Sequence, residues 1–431
     1  MTCAPAIALP RAVGTRTGGA LPIFLCACVA LALTGFTAPG RSGASDVGGI
    51  DAIALVKIAL RGTSFLFLLL LALALNFHHR TTAVLRRLLP MVMFALWTVA
   101  TAIWSPLRAM SIGHSLEIVM LTTVAVCAAI VMDSERVIGR LCFLLFTVMA
   151  GACLFVLIAD APSIRAGERP AGYMHPNSLG AVAGIALTVL IASRVLWGWR
   201  WSRRLLIPGI LVCGAAIFAA RSRTDLLVTL FVLALFLLVY SRRALALVLL
   251  LACGGLFAFM PYVSALGHVG QSVTAYFLRG QTREDLITGS GRDEVWHVAL
   301  NSAREAPWFG HGYYTMSDSG KVFVWGKEQV QTAHDVYLHV LTGSGAIGLA
   351  LFLWALGSMI LPMVRPALRE RNRVAILALG VIVWQLTGSL FEVGIVGPVD
   401  AVTVAFFALG GAAVGNTLHP RDIQEAPPCV S

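Results

Sequence analysis

Charged residues are scarce in this chain. Only 12% of its 431 residues are Asp, Glu, Lys or Arg and 58% are hydrophobic, whereas a soluble domain carries roughly 25% charged residues. This composition excludes an ordinary soluble fold. The formal net charge is nevertheless +11. We do not infer a nucleic-acid partner from it, because Arg clusters on short loops between apolar runs usually mark the cytoplasmic flanks of a membrane protein.

Cysteine motifs are also lacking. Seven of the nine cysteines lie in apolar segments, where a free thiol behaves as a small hydrophobe. None lies in the long hydrophilic segment 262–333, and no Cys-x-x-Cys pair occurs. We therefore expect neither a disulfide framework nor a zinc site.

Long apolar runs predict an all-α polytopic membrane protein with about twelve transmembrane helices. The candidate spans are residues 21–38, 52–77, 90–104, 110–132, 140–160, 177–195, 205–220, 224–240, 244–261, 336–362, 374–392 and 399–416. An untilted helix needs about 20 residues to cross, so 90–104 is the weakest of these predictions. The runs are apolar on all sides, which favours helices over barrel strands, where apolar residues would alternate. The first run is alternatively a signal peptide, since Arg11 and Arg16 precede it.

Basic residues predict the orientation. With the N-terminus inside, the inner loops carry eighteen arginines and the short outer loops six, which is the expected positive-inside bias. The predicted order is a cytoplasmic N-terminus at 1–20, transmembrane helices 1–9 at 21–261, a long outer loop at 262–335, transmembrane helices 10–12 at 336–416 and a cytoplasmic tail at 417–431. Both termini are then cytoplasmic, and membrane lipids surround the chain.

The first polar place on the outer side is the segment Arg169-Pro-Ala-Gly-Tyr-Met-His-Pro-Asn177, which leads into a predicted helix. Asn177 or Ser178 is expected to cap that helix, and the preceding proline suits its start. A turn with a cap explains these residues. It does not explain Arg169 together with His175, for which a binding site is the alternative.

The second polar place is the tight outer connection Ala220-Arg-Ser-Arg-Thr-Asp225. Snorkelling towards lipid headgroups accounts for one arginine. Both Arg221 and Arg223, beside Ser222 and Thr224, fit an anion site better, because a guanidinium fork matches pairs of phosphate oxygens.

The third polar place is the long loop and its exit. Residues 291–305 predict a helix, with Asp293 and Glu294 in its first turn and Pro307 beyond its end. Trp296 on this helix is expected to pack rather than to stack on a ligand. Arg292 stands at the helix start, which is unfavourable for a cation unless an anion is nearby.

His334 lies at the loop exit, at the predicted membrane edge, with Asp335 beside it. A lone histidine at a helix start is usually structural. At this place, however, imidazole is the side chain best suited to proton transfer near neutral pH. Inside the membrane, Lys57, Arg61 and Glu117 are the other ionisable candidates. Lys57 can snorkel, and Glu117 is a candidate partner for the deeper Arg61.

From about the third span onward, the chain resembles the O-antigen ligase and O-antigen polymerase family of bacterial polysaccharide enzymes. The motifs that carry the resemblance are Trp104-Ser105, Arg169 with Gly172-Tyr-Met-His-Pro-Asn177, Ser222-Arg223-Thr224, Gly291-Arg292 with Trp296, Pro307-Trp-Phe-Gly-His-Gly312, and Ala333-His334-Asp335-Val-Tyr-Leu338 followed by Gly345 and Gly348. No single motif is specific, but their order around one late outer loop is.

The resemblance implies a GT-C-like glycosyltransferase at the periplasmic face of the bacterial inner membrane. Its donor would be a glycan on undecaprenyl diphosphate, and its acceptor either lipid A-core, for a ligase, or another lipid-linked glycan, for an O-antigen or exopolysaccharide polymerase. The family's two arginines and histidine match Arg223, Arg292 and His334, with the arginines on the diphosphate and the histidine as the general base of an inverting reaction. Substrate-binding candidates are Arg169, Arg221, His175, Asn177, Asp335 and Trp296.

Two further implications concern chemistry. The family is described as metal-independent, and this sequence has no Asp-x-Asp pair, so we expect neither a metal nor a cofactor. The family usually has Asn after the histidine, whereas Asp335 stands here. A carboxylate there either raises the basicity of His334 or indicates a different acceptor.

Two other classes of protein remain open. A solute transporter or flippase would place its charges near the midplane, often in repeated halves, and only Arg61 and Glu117 favour that. A membrane anchor that presents the loop to a partner leaves His334 and the arginines unexplained.

Overall fold

The computed structural model describes residues 19–36, 52–75, 80–170, 172–240, 292–324, 327–329 and 333–418. The first helices are α1 (Ala20–Ala32), α2 (Ala52–Ala74), α3 (Thr81–Ala100), α4 (Arg108–Val131), α5 (Glu135–Ala159), α6 (Ala161–Arg165) and α7 (Pro176–Leu196). They are followed by α8 (Arg200–Arg204), α9 (Leu206–Ala220), α10 (Arg223–Tyr240), α11 (Arg292–Glu305), α12 (Val336–Leu368), α13 (Arg373–Gly388) and α14 (Ala401–Asn416). Two short strands, β1 (Val322–Val324) and β2 (Lys327–Gln329), form an antiparallel pair.

Eleven of the predicted spans fall on described residues, and each coincides with a helix. The span at 244–261 lies outside the described residues. Among the described helices, six are long and apolar enough to cross a membrane, as expected where every backbone polar group must be bonded within its own segment. The chain is thus a mostly helical, multi-pass membrane protein, and the total number of spans stays a prediction.

The third span was predicted too short. Helix α3 begins at Thr81 rather than at residue 90, and it continues through Pro90. Arg86 and Arg87, which were assigned to an inner loop, therefore lie on its first turns, where both are exposed. Long basic side chains can lie along apolar surface with their heads in the polar boundary, so a helix end tolerates them.

Helices α4 and α14 pack closely at the centre of the bundle. Gly411 and Gly415 lie one turn apart on α14, and a methyl group at either position would stand within 2.2 Å of the carbonyl oxygen of Ala125 or Ala129 on α4. Small residues four apart let two helices approach closely in a membrane. This contact holds the C-terminal half of α14 against α4.

Helix α12 is broken at Gly345, which has φ 69° and ψ −174°. The segment 307–312, here called the 307–312 turn, bonds to the break. His311 N and Gly312 N donate to the carbonyls of Thr342 and Gly343 at 3.0 and 2.9 Å, while Ala346 N donates to Pro307 O at 2.8 Å. The backbones approach so closely that a methyl group at Gly345 would lie 2.2 Å from the carbonyl of the turn. The turn therefore ties the end of α11 to the interior of α12.

Candidate active site

The centre of the candidate site is a carboxylate that the sequence analysis did not select. Glu392, in the loop between α13 and α14, lies with Oε2 3.4 Å from His334 Nδ1 and with Oε1 3.5 Å from Arg292 Nη2. Its Oε1 also accepts a hydrogen bond from Asn177 Nδ2 at 2.6 Å. The Arg292 guanidinium stands 5.8 Å from the centre of the Phe391 ring, within range of a cation–π contact. Three other segments of the chain thus converge on one carboxylate.

Asn177 does not cap its helix, so that prediction was wrong. Helix α7 begins at Pro176, and the cap is His175, whose Nδ1 accepts from Asn177 N at 3.3 Å. The Asn177 side chain instead links two charged groups, since its Oδ1 accepts from Arg169 Nη2 at 2.8 Å while its amide binds Glu392. Arg169 Nε also donates to Ala220 O at 2.9 Å. The segment Arg169–Asn177 is therefore part of the candidate site, and Arg169 is connected to Glu392 through the Asn177 side chain.

His175 lies in the same electrostatic environment. Burial, followed by the charges of Arg169 and His334, lowers its pKa, while the nearby Glu392 carboxylate raises it, and the net shift is downwards. A neutral imidazole agrees with its role as a cap, because Nδ1 must be unprotonated to accept a hydrogen bond.

Arg223 and Arg221 lie at the ends of different helices and point to different neighbours. Arg223 is the first residue of α10 and lies close enough to Arg292 and Arg169 to interact electrostatically with both. Arg221 ends α9 in a left-handed conformation, with φ 50°, and its guanidinium extends towards Gly167, at the start of the loop that carries Arg169. The structure thus groups three arginines around the candidate site and places the fourth beside them.

His334 is held at the start of α12 with a left-handed backbone, φ 48°, a conformation that costs free energy for a residue other than glycine. Its neighbour Ala333 accepts a hydrogen bond from Trp296 Nε1 at 3.1 Å. Trp296 therefore contacts the histidine segment, and its role in substrate binding stays a prediction. Asp335 caps α12, with Oδ1 accepting from Leu338 N at 2.8 Å. Its carboxylate is engaged by the helix start, and Glu392 supplies the carboxylate at His334 Nδ1.

Glu392 is held in its charged form. Burial on its own raises its pKa, but the hydrogen bond and charge of His334, the charge of Arg292 and the Asn177 amide outweigh that effect and lower the pKa. About a third of its side chain remains exposed, as do 29% of His334 and 21% of Arg292. The centre is thus a pre-assembled group of charges that a ligand from outside can still reach.

A second cluster lies within the helices. Glu117 on α4 pairs with Arg61 on α2 and, through Oε2, contacts His114 Nδ1 at 2.9 Å. Arg61 also donates to Thr34 Oγ1 at 3.2 Å and to Val399 O at 3.0 Å. The pairing considered from the sequence is confirmed. Because these bonds link α2 to α4, to the turn after α1 and to the segment before α14, the pair holds the helices together and gives no specific support to a transporter.

Glu392 could have been found in the sequence. The span predicted at 374–392 ended on this residue, and an ionisable group at the end of an apolar run is a functional candidate by default. Its partner Asn177, however, lies 215 residues away in sequence. No pattern of spacing connects the two.

Comparison with known proteins agrees with the resemblance. Residues 208–353 match the family model described as O-antigen ligase. No curated protein matches the chain. The match to the family model confirms the resemblance of the chain to the O-antigen ligase and polymerase family. The matched part contains Arg223, Arg292 and His334, whereas Asn177 and Glu392 lie on either side of it.

Proposed function

We propose that the protein transfers a glycan from undecaprenyl diphosphate to a hydroxyl group of an acceptor sugar, at the periplasmic face of the bacterial inner membrane. The observation that carries this proposal is the Glu392 centre. One carboxylate holds both the histidine and the first arginine of α11, within a chain whose residues 208–353 match the O-antigen ligase family model.

The arginines are assigned to the diphosphate. Arg223 lies within electrostatic range of both Arg169 and Arg292, and Glu392 offsets one of the three positive charges. Cations held close together repel each other, so the group favours an anion with several oxygen atoms. Guanidinium groups bind phosphate oxygens in pairs. Arg223 and Arg292 therefore hold the donor and stabilise the negative charge that develops on the leaving diphosphate.

His334 is assigned as the general base. We assign its ring proton to Nδ1, which faces Glu392 Oε2 at 3.4 Å, and we assign to Nε2 the uptake of the proton from the acceptor hydroxyl. The oxygen then attacks the anomeric carbon as the bond to the diphosphate oxygen breaks, so the configuration inverts. Glu392 stabilises the imidazolium that forms, and the arginines supply the positive charge that a metal ion provides in other transferases.

The test compares site variants with matched controls on the same helix. Arg292→Ala and His334→Ala should abolish surface glycan in a deletion strain while the protein still inserts. Arg304 and His297 are exposed on α11, and Arg304→Ala and His297→Ala should support normal glycan. Normal glycan with both site variants would refute the assignment.

The deletion strain also separates the two kinds of acceptor. Accumulated lipid-linked polymer indicates that a ligase, which transfers to lipid A-core, has been lost. Accumulated single repeat units indicate a lost O-antigen or exopolysaccharide polymerase, whose acceptor is another lipid-linked glycan. We favour the ligase-like reaction. If neither species accumulated and a small solute failed to cross the membrane, transport or flipping would replace the proposal.

A further inference from the structure

Two large aromatic side chains at the end of α11 are exposed without any part in the candidate site. Trp308 is 64% and Phe309 54% exposed. Both lie in the 307–312 turn. The imidazole of His311 in the same turn is buried and contacts Ser302 O at 3.0 Å. The turn therefore presents an uncharged, aromatic surface.

The break in α12 fixes the depth of this turn. His334 and Asp335 precede the first residue of α12, which the hydropathy pattern places at the outer polar boundary, and Gly345 lies nine residues beyond Val336. At 1.5 Å per residue, the break lies about 13 Å along the helix axis from its start. Since the 307–312 turn bonds to residues 342–346, its backbone reaches the same depth.

Helix α3 gives a second, independent measure. The Phe309 ring centre lies 5.9 Å from the ring centres of both Trp97 and Trp104. Trp97 Nε1 donates to Ser344 O at 3.0 Å and Trp104 Nε1 to Gly310 O at 3.1 Å. Trp97 lies on the last turn of α3 and Trp104 lies four residues beyond its end. Phe309 is thus level with the C-terminal end of the candidate membrane span Thr81–Ile103.

The surface around the turn is a continuation of the lipid-facing side of α3. Leu96 on that helix is 62% exposed, and Ile103, three residues beyond its end, is 73% exposed. Side chains of this kind on a spanning helix face hydrocarbon, because a soluble surface of this composition would aggregate. Trp308 and Phe309 extend the same stripe.

We propose that the 307–312 turn is a re-entrant element, and that Trp308 and Phe309 insert into the hydrocarbon of the outer leaflet. Irregular backbone is tolerated at this depth because its polar groups are bonded to the broken helix. Bilayer lipid is the partner. The C-terminal end of α11 is thereby fixed to the membrane, while Arg292 at its other end contacts Glu392.

Quenching of tryptophan fluorescence by brominated lipid tests the insertion. The full-length protein is reconstituted in vesicles of phosphatidylcholine with or without bromine on the acyl chains, and the emission of Trp308→Phe is subtracted from that of the wild type. This difference isolates Trp308, and phenylalanine keeps the turn apolar. We expect brominated lipid to remove most of the difference emission, and aqueous iodide to leave it unchanged.

Two control variants calibrate the measurement. Trp354 is 52% exposed on α12 and Trp384 is 2% exposed inside the bundle, so the difference emission of Trp354→Phe should be quenched by brominated lipid and that of Trp384→Phe should not. Quenching of Trp308 by iodide instead of brominated lipid would place the turn in water. Protection from both quenchers would mean that protein, such as a second copy of the chain, covers it. Either result overturns the proposal.

Discussion

Replacing Glu392 by glutamine isolates the charge at the candidate site. The side chain keeps its shape, and its amide oxygen can still accept from Asn177 Nδ2, now at 2.6 Å. The variant loses the negative charge that faces His334 Nδ1 at 3.4 Å and Arg292 Nη2 at 3.5 Å. Folding should therefore be little changed, while the imidazolium formed during proton transfer loses its counter-charge.

The expected loss follows from these distances. A hydrogen bond to a charged group contributes about 1.5–3 kcal/mol. The contact with His334 is long, and about a third of the Glu392 side chain is exposed, so solvent screening favours the lower half of that range, about 2 kcal/mol. Since about 1.4 kcal/mol corresponds to a factor of ten in rate, kcat should fall about 30-fold.

The assay is glycan transfer by purified protein in nanodiscs, from a polyprenyl-diphosphate-linked glycan to its acceptor, with product measured at saturating donor. Glu305→Gln is the matched control, because Glu305 is an exposed carboxylate at the far end of α11. It should leave kcat unchanged. A Glu392→Gln variant with a kcat within about threefold of the wild type, which is less than 1 kcal/mol, would refute the role given to this carboxylate.

Three further predictions concern stability, each read from thermal unfolding in detergent. Glu117→Gln leaves the Arg61 cation without its counter-charge in a largely buried place, so the free energy of unfolding should fall by about 2–4 kcal/mol. The double variant Glu117→Gln with Arg61→Met should recover part of this lost stability. A double variant less stable than Glu117→Gln alone would contradict the role of the ion pair. Gly345→Ala should cost more than about 2 kcal/mol, because φ is +69° and the methyl group meets a carbonyl at 2.2 Å. Gly357→Ala on the same helix has nothing within 4 Å and should be neutral or stabilising by up to about 1 kcal/mol, so equal losses would argue against the break. Burial lowers the pKa of His175 in the folded protein below its ordinary value of 6.5. The neutral imidazole therefore stabilises the folded state at a pH above that ordinary value, and this stabilisation is lost as the pH falls through the lowered pKa. His175→Asn keeps a capping acceptor but removes the group that titrates. The fall in melting temperature between about pH 7 and about pH 5 should therefore be smaller in this variant than in the wild type. An equal fall in both proteins would contradict the stabilising role of the neutral His175 side chain.

The sequence determined the helices of this protein. Apolar runs of spanning length must form helices in a bilayer because the backbone has no other partner there, and this requirement is local. The signals that predict helix α11 are also local in the sequence, since acidic residues in its first turn and Pro307 beyond its end define its limits. The motifs around Arg223, Arg292 and His334 were also recognised from the sequence, and the family match contains all three.

The contacts of these side chains follow from how the helices pack against one another. Asn177 was expected to cap a helix and instead bridges Arg169 and Glu392, and the glycines of the 307–312 turn acquire their role only against the break at Gly345. Hydropathy and capping depend on neighbours a few residues away along the chain. The convergence on Glu392 depends on how separate helices pack, because partners 215 residues apart meet only after the bundle has formed.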